Sequence, residues 1–205
     1  DKSGVRKDFA HVIGDFNNWT LNNDEKSQMY YDEAAGCWWI TLSGLDASKE
    51  YAFQYYVGKT NEEQRIRLAD AYSRKILDPD NDKYISSTTY PENKTYPEGG
   101  IGIVSTFKIK PDTYNWQVTN FTVPTTDNLV IYEMLFRDFT SSGDINGALS
   151  KLDYLKSLGV NAIELMPIQE FDGNDSWGYN PAFFFAMDKA YGTDKMYKQF
   201  IDECH

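Results

Sequence analysis

The sequence predicts a multidomain chain in two parts, a β-sandwich followed by the opening of a parallel α/β fold. Three observations predict it. Aromatic and β-branched residues alternate with period two through the first hundred residues. After residue 129, continuous apolar runs flank a helical stripe instead. Between these regions, residues 111–128 carry no clear period.

The strands of the first half come in order. Phe9 to Ile13 is one. Trp38, Ile40 and Leu42 alternate with Trp39 and Thr41, so Trp38 and Trp39 face opposite sides. Tyr51, Phe53, Tyr55 and Val57 alternate with Ala52, Gln54 and Tyr56. Ile103 to Ile109 is another. Such alternation marks half-buried strands. Asn17–Asn18, Ser43–Gly44, Gly58–Lys59 and Asp78-Pro-Asp-Asn81 supply turn chemistry between them. Strands at this spacing predict a sandwich over residues 1–110. Residues 111–128 read as a linker or surface strap.

Residues 129–205 follow a different rule. Leu129–Phe136 reads as a parallel strand buried on both faces. Ser141-Ser-Gly-Asp144 offers a turn and a helix N-cap. Ile145, Leu149, Leu152, Leu155 and Leu158 stripe one helix face, and Gly159 stands where that helix stops. Val160–Met166 is a second buried strand, closed by Pro167. A long loop and a helix from about Thr193 to Cys204 follow. Two parallel strands cannot cover their own edges. The second half is therefore expected to be incomplete, to expose apolar surface, and to be prone to self-association.

Composition narrows the function classes. A formal net charge of −11 argues against a nucleic-acid partner, which would need a basic face. No apolar run approaches the roughly 18 residues of a membrane helix. Cys37 and Cys204 give neither a disulfide framework nor metal-ligand spacing. No signal peptide opens the chain at Asp1, and secreted, periplasmic and cytoplasmic locations all stay open. Aromatic residues make up 16% of the chain, which suits both β-structure and sugar binding. A pyranose has flat C–H faces that pack on aromatic rings, while its hydroxyls seek carboxylates and amides.

Three collinear segments carry a resemblance. They are Leu129-Val-Ile-Tyr-Glu-Met-Leu-Phe-Arg-Asp-Phe-Thr140, Gly159-Val-Asn-Ala-Ile-Glu-Leu-Met-Pro167, and Ser176-Trp-Gly-Tyr-Asn-Pro181 with Tyr191-Gly-Thr193 and Phe200–His205. Together they resemble the start of the alpha-amylase family of glycoside hydrolases, family 13. The first half resembles carbohydrate-binding module family 48, an immunoglobulin-like sandwich. The carriers are Val12-Ile-Gly-Asp-Phe-Asn-Asn-Trp-Thr20, Gly36-Cys-Trp-Trp39, Tyr51-Ala-Phe-Gln-Tyr55 and Asp70-Ala-Tyr-Ser-Arg74 ahead of Asp78–Pro79.

The resemblance implies a truncated (β/α)₈ barrel, of which residues 129–205 hold the first β-α-β-α. It implies a parent enzyme acting on α-1,4-linked glucans such as starch or glycogen by a retaining double displacement. Branching or debranching activity, or a non-catalytic starch-binding protein, are the alternatives. The family's catalytic acids fall on later strands, so no catalytic residue and no metal ligand is assigned here, and 205 residues alone are expected to be inactive. No cofactor is expected in this chain; calcium is conceivable in the full-length parent. An α-glucan is the expected partner. Tyr179 is the first candidate to stack under a sugar, with Trp177 and Asn180 beside it and Trp19 in the sandwich. Arg137 and Asp138 read as a local salt bridge bracing the loops. No pair among Glu164, Glu170, Asp172 and Asp175 is read as acid and nucleophile.

Overall fold

The computed structural model describes residues 6–60 and 65–205; Asp1 lies outside them. The chain forms two compact units, one of Asp1–Pro79 with Lys94–Pro111, the other of Asp80–Asn93 with Asp112–His205. This division differs from boundaries at 110 and 128. Residues 80–93 cluster with the second unit, and so do the residues read as a linker.

The first unit holds β1 (Phe9–Gly14), β2 (Tyr30–Asp32), β3 (Cys37–Trp39), β4 (Glu50–Gly58), β5 (Arg65–Leu68), β6 (Ile76–Leu77) and β7 (Val104–Lys108). Five of them form one antiparallel sheet around β4. Strand β1 lies on one edge of β4, with Val12 opposite Tyr55. The other edge carries β7 along Glu50–Phe53 and β5 along Tyr55–Gly58. Period two in β4 sends alternate side chains to two cores. Phe53, Tyr55 and Val57 join Ala10, Val12, Met29 and Phe107. Ala52, on the opposite face, joins Leu77 and Val104. The β2–β3 hairpin adds Trp38 to the first cluster and leaves Trp39 half exposed, as the alternation predicts.

The second unit holds β8 (Ile131–Met134), α1 (Phe136–Phe139), α2 (Ile145–Leu149), α3 (Leu152–Ser157), β9 (Ala162–Leu165), β10 (Gln169–Phe171), β11 (Pro181–Met187) and α4 (Asp194–Cys204). Strands β8 and β9 pair in parallel, Ile131 opposite Ala162 through Met134 opposite Leu165. Tyr132, Met134, Ile163 and Leu165 turn one way, onto a core built with Phe136, Ile145, Leu155, Tyr191, Tyr197 and Phe200. The opposite face carries Ile131, Glu133 and Glu164, all exposed.

The two strands read as buried on both faces thus leave one face exposed, and three further features differ from the sequence expectation. The helical stripe is broken into α2 and α3. Ser150 Oγ donates to the Gly147 carbonyl at 2.7 Å, and Lys151 N turns back to Ala148 O. A hydroxyl competing for a helical carbonyl interrupts the helix. Leu158, counted on the apolar face, caps the end of α3 and is exposed. The region after Pro167, read as a long loop, contains the antiparallel β10–β11 hairpin. The residues read as a linker are held to α4. Asp202, buried on that helix, accepts Gln117 N at 2.9 Å, Val118 N at 2.9 Å and the Tyr114 hydroxyl at 2.9 Å.

Three expectations hold, those for Asp144, for Gly159 and for exposed apolar surface. Asp144 caps α2, accepting Gly147 N at 2.9 Å. Gly159 takes a positive φ of 82° where α3 ends. Val130, Ile131, Phe184 and Phe185 are exposed apolar residues. Among the described residues, no helix is long and apolar enough to cross a membrane.

Candidate functional site

The β10–β11 hairpin carries the candidate residues at its tip, residues 172–180. Gly178 lets the tip close. Its φ is +85°, and a Cβ there would stand 2.5 Å from the Pro167 carbonyl oxygen, which only glycine avoids. The adjoining Ser176 hydroxyl accepts Gly178 N at 3.0 Å and donates to Asn180 Oδ1. Asn180 therefore shapes the loop, its amide also reaching the Asp172 carbonyl at 3.5 Å. On either side of Gly178, Trp177 is 59% exposed and Tyr179 67% exposed.

Arg137 braces this tip against the end of β8. Its guanidinium grips Asp138 through two bonds, 2.7 and 2.9 Å, and reaches Asp175 at 2.6 Å. The salt bridge expected of Arg137 and Asp138 is present, and it extends to the hairpin. Hydrogen bonding from Arg137 holds the Asp138 carboxyl below its ordinary value, so this group carries charge across the neutral range.

Trp177 and Tyr179 are brought together over an open groove of about 490 Å³. Its other walls include Glu133 from β8, Asp138, Phe139 and Met166. This size is within the range of small-molecule sites. Two exposed rings beside two carboxylates suit a sugar, with rings for its C–H faces and carboxylates for its hydroxyls. Among the described residues, Glu170 and Asp188 are the carboxyls shifted upward, each driven mainly by burial, and neither lines the groove. Among the described residues, no group of three or more His, Cys, Asp or Glu is placed to hold a metal ion.

Trp19 belongs to the first unit and is held in place. Its indole N–H donates to Asp15 Oδ1 at 3.0 Å, and its ring packs on the Ala52, Leu77 and Val104 cluster. A Cβ on Gly99 would lie 2.2 Å from Trp19 Cγ, so the ring rests directly on glycine backbone. Asn18 and Trp19 both take positive φ, 53° and 58°, an uncommon conformation for a bulky residue. In this geometry Trp19 is a half-buried packing residue.

Sequence reasoning did not find Glu133 or Met166. A signal for Glu133 existed: it is the one charge within the apolar run Leu129–Phe136.

The family model for the alpha-amylase catalytic domain matches residues 72–205. The chain belongs to the alpha-amylase family. A malto-oligosyltrehalose trehalohydrolase of Saccharolobus solfataricus is 38% identical over 140 residues, 68% of this chain and 23% of that protein. The 1,4-alpha-glucan branching enzyme GlgB of Oceanobacillus iheyensis is 28% identical over 95% of this chain and 28% of its own length. This member of the alpha-amylase family thus spans about a quarter of the curated relatives it matches. Its fold is similar to that of the Group B Streptococcus pullulanase SAP, with a TM-score of 0.63 at 19% identity, covering 96% of this chain and 29% of the other.

Proposed function

We propose that this chain is the N-terminal part of an enzyme acting on α-1,4-linked glucans by a retaining mechanism. In this reading the unit of Asp1–Pro79 with Lys94–Pro111 is an immunoglobulin-like sandwich of the carbohydrate-binding type. Residues 129–205 are the first elements of a (β/α)₈ barrel, whose catalytic acids lie beyond residue 205. The observation that carries it is the groove in which Trp177 and Tyr179 stand exposed beside Glu133 and Asp138. That groove binds one end of a glucan and does not cleave it.

The 38% identity to the trehalohydrolase favours hydrolysis as the first reading. Transfer of glucan branches is the second reading, favoured by a relative that aligns over 95% of this chain. Calcium belongs to this proposal only for the whole protein. Exposed Ile131 and Phe184 are read as surfaces covered by the rest of that protein, or by a second copy when the 205 residues are alone.

The test is titration of the 205-residue chain with maltoheptaose by calorimetry, followed by reducing-end assay on amylopectin. Binding that weakens in Tyr179→Ala, with no reducing ends released, supports the reading. Equal affinity in wild type and Tyr179→Ala would sink the groove as the glucan site. Reducing ends that scale with repurified protein would overturn the claim that cleavage lies elsewhere.

A further inference from the structure

The hairpin that carries Trp177 and Tyr179 is gripped by a segment distant in sequence. Asn81 and Asp82 are consecutive, and they hold opposite ends of it. At the tip, Asn174 Nδ2 donates to the Asn81 carbonyl at 2.8 Å. At the base, the Lys189 ammonium meets Asp82 Oδ1 at 3.2 Å and also pairs with Glu170 of β10. Asn93 Nδ2 in turn donates to Asp82 Oδ2 at 3.4 Å. The same segment is tied to α2, where Thr89 Oγ1 donates to Asp144 Oδ2 at 3.0 Å.

The base of this grip is dry. Lys189 is 1% exposed and Glu170 7%. A buried ammonium is tolerated only where carboxylates are fixed around it, and removing one partner leaves an uncompensated charge. The neighbouring Asp188 is buried too and is satisfied by backbone, its carboxylate accepting Ala190 N at 2.8 Å and Phe171 N at 3.2 Å. Burial opposes the charge on Lys189, but Glu170 and Asp82 more than offset it and the ammonium is held charged. Two carboxylates, Glu170 and Asp82, thus pair with a cation that the chain itself provides.

We propose that Asp82 and Lys189 are positioning residues for glucan binding, through which the strap of residues 80–93 sets the placement of Trp177 and Tyr179 over the groove. This rests on the groove being the glucan site. Neither residue lines the groove; both act through the hairpin.

The test uses the 205-residue chain, hydrogen exchange of individual amides, and maltoheptaose titration. In Asp82→Asn, amides 172–180 are expected to exchange roughly tenfold faster, while amides of β8 and β9 keep their protection. Maltoheptaose affinity is expected to fall about fivefold, a size typical of a coupling between sites. Asp82→Glu, which restores the carboxylate, should recover both, whereas a loss of bulk stability would not track the charge. If Asp82→Asn also unprotects β8 and β9, Asn174→Ala replaces it, releasing the tip alone with the same two readouts expected. Unchanged exchange at 172–180 overturns the proposal. So does faster exchange at unchanged affinity when Tyr179→Ala still weakens binding. Should Tyr179→Ala leave affinity intact, the groove reading fails first and the positioning role falls with it.

Discussion

Two tryptophan-bearing loops invite the same sequence reading and meet opposite fates. Trp19 follows Phe16-Asn-Asn18, and Trp177 precedes Gly178-Tyr179. Each stands beside turn chemistry, and each was a candidate to stack on glucan. Trp19 donates its N–H to Asp15 and rests on Gly99, so its ring belongs to a core. Trp177 is held out of the core by a loop whose own polar groups close on one another. Loop composition does not separate them. What separates them is whether the backbone nearby gives the ring a surface to cover, and for Trp19 that surface is a glycine remote in sequence.

The comparison breaks most visibly at Trp19. Trp19→Ala is expected to destabilise the first unit by about 2–3 kcal/mol, less than the full core value because the ring is only half buried. Chemical denaturation followed through the amide protection of β4 and β7 measures it. The maltoheptaose affinity of the groove should be unchanged. A stable Trp19→Ala protein with lost glucan binding would reverse the assignment of the two loops.

Gly178→Ala probes the other loop. The added Cβ meets the Pro167 carbonyl at 2.5 Å in a left-handed conformation, so the tip must shift. A cost of about 1–2 kcal/mol is expected, confined to residues 172–180. Exchange rates should rise there while Trp19 and its core stay protected. Tyr179→Ala should cost less still, about 1 kcal/mol of maltoheptaose affinity, comparable to an aromatic contact. Its melting temperature should match wild type, since the ring is mostly exposed.

How far the sequence carried this reading depends on the range of the interactions involved. Parallel β8 and β9, the Asp144 cap and the Gly159 stop were legible because each is written in a few neighbouring residues. The exposed pair Trp177 and Tyr179 was legible through its resemblance to a family motif. The split between α2 and α3 was missed because the apolar stripe runs on across it and does not record the tight turn at Ser150 and Lys151. The grip of Asn81 and Asp82 was missed because Asp78–Asn81 reads locally as a turn, and nothing local announces Lys189 as its partner. Glu133 was hidden inside a run read for its apolar residues.

The smallest effects expected are those of pH, and here two carboxyl clusters of the second unit should act in opposite directions. Backbone N–H groups of Gln117 and Val118 hold Asp202 below its ordinary value. A carboxyl depressed in the folded state contributes stability that is present above its unfolded value and lost as pH falls through the folded one. Below about pH 4, amides of Gln117 and Val118 should therefore lose protection, and Asp202→Asn should remove that dependence. Glu170 is displaced upward, chiefly by burial and against the pull of Lys189. The folded state then binds the extra proton, so stability contributed by this site falls as pH rises from about 4. Glu170→Gln should flatten that limb of the melting profile while leaving the acid response of Gln117 and Val118 in place. Acid release of both regions together in the wild type would mean that the two clusters titrate as one cooperative unit. Separate responses would show that the strap held by Asp202 opens independently of the grip on the Trp177 loop.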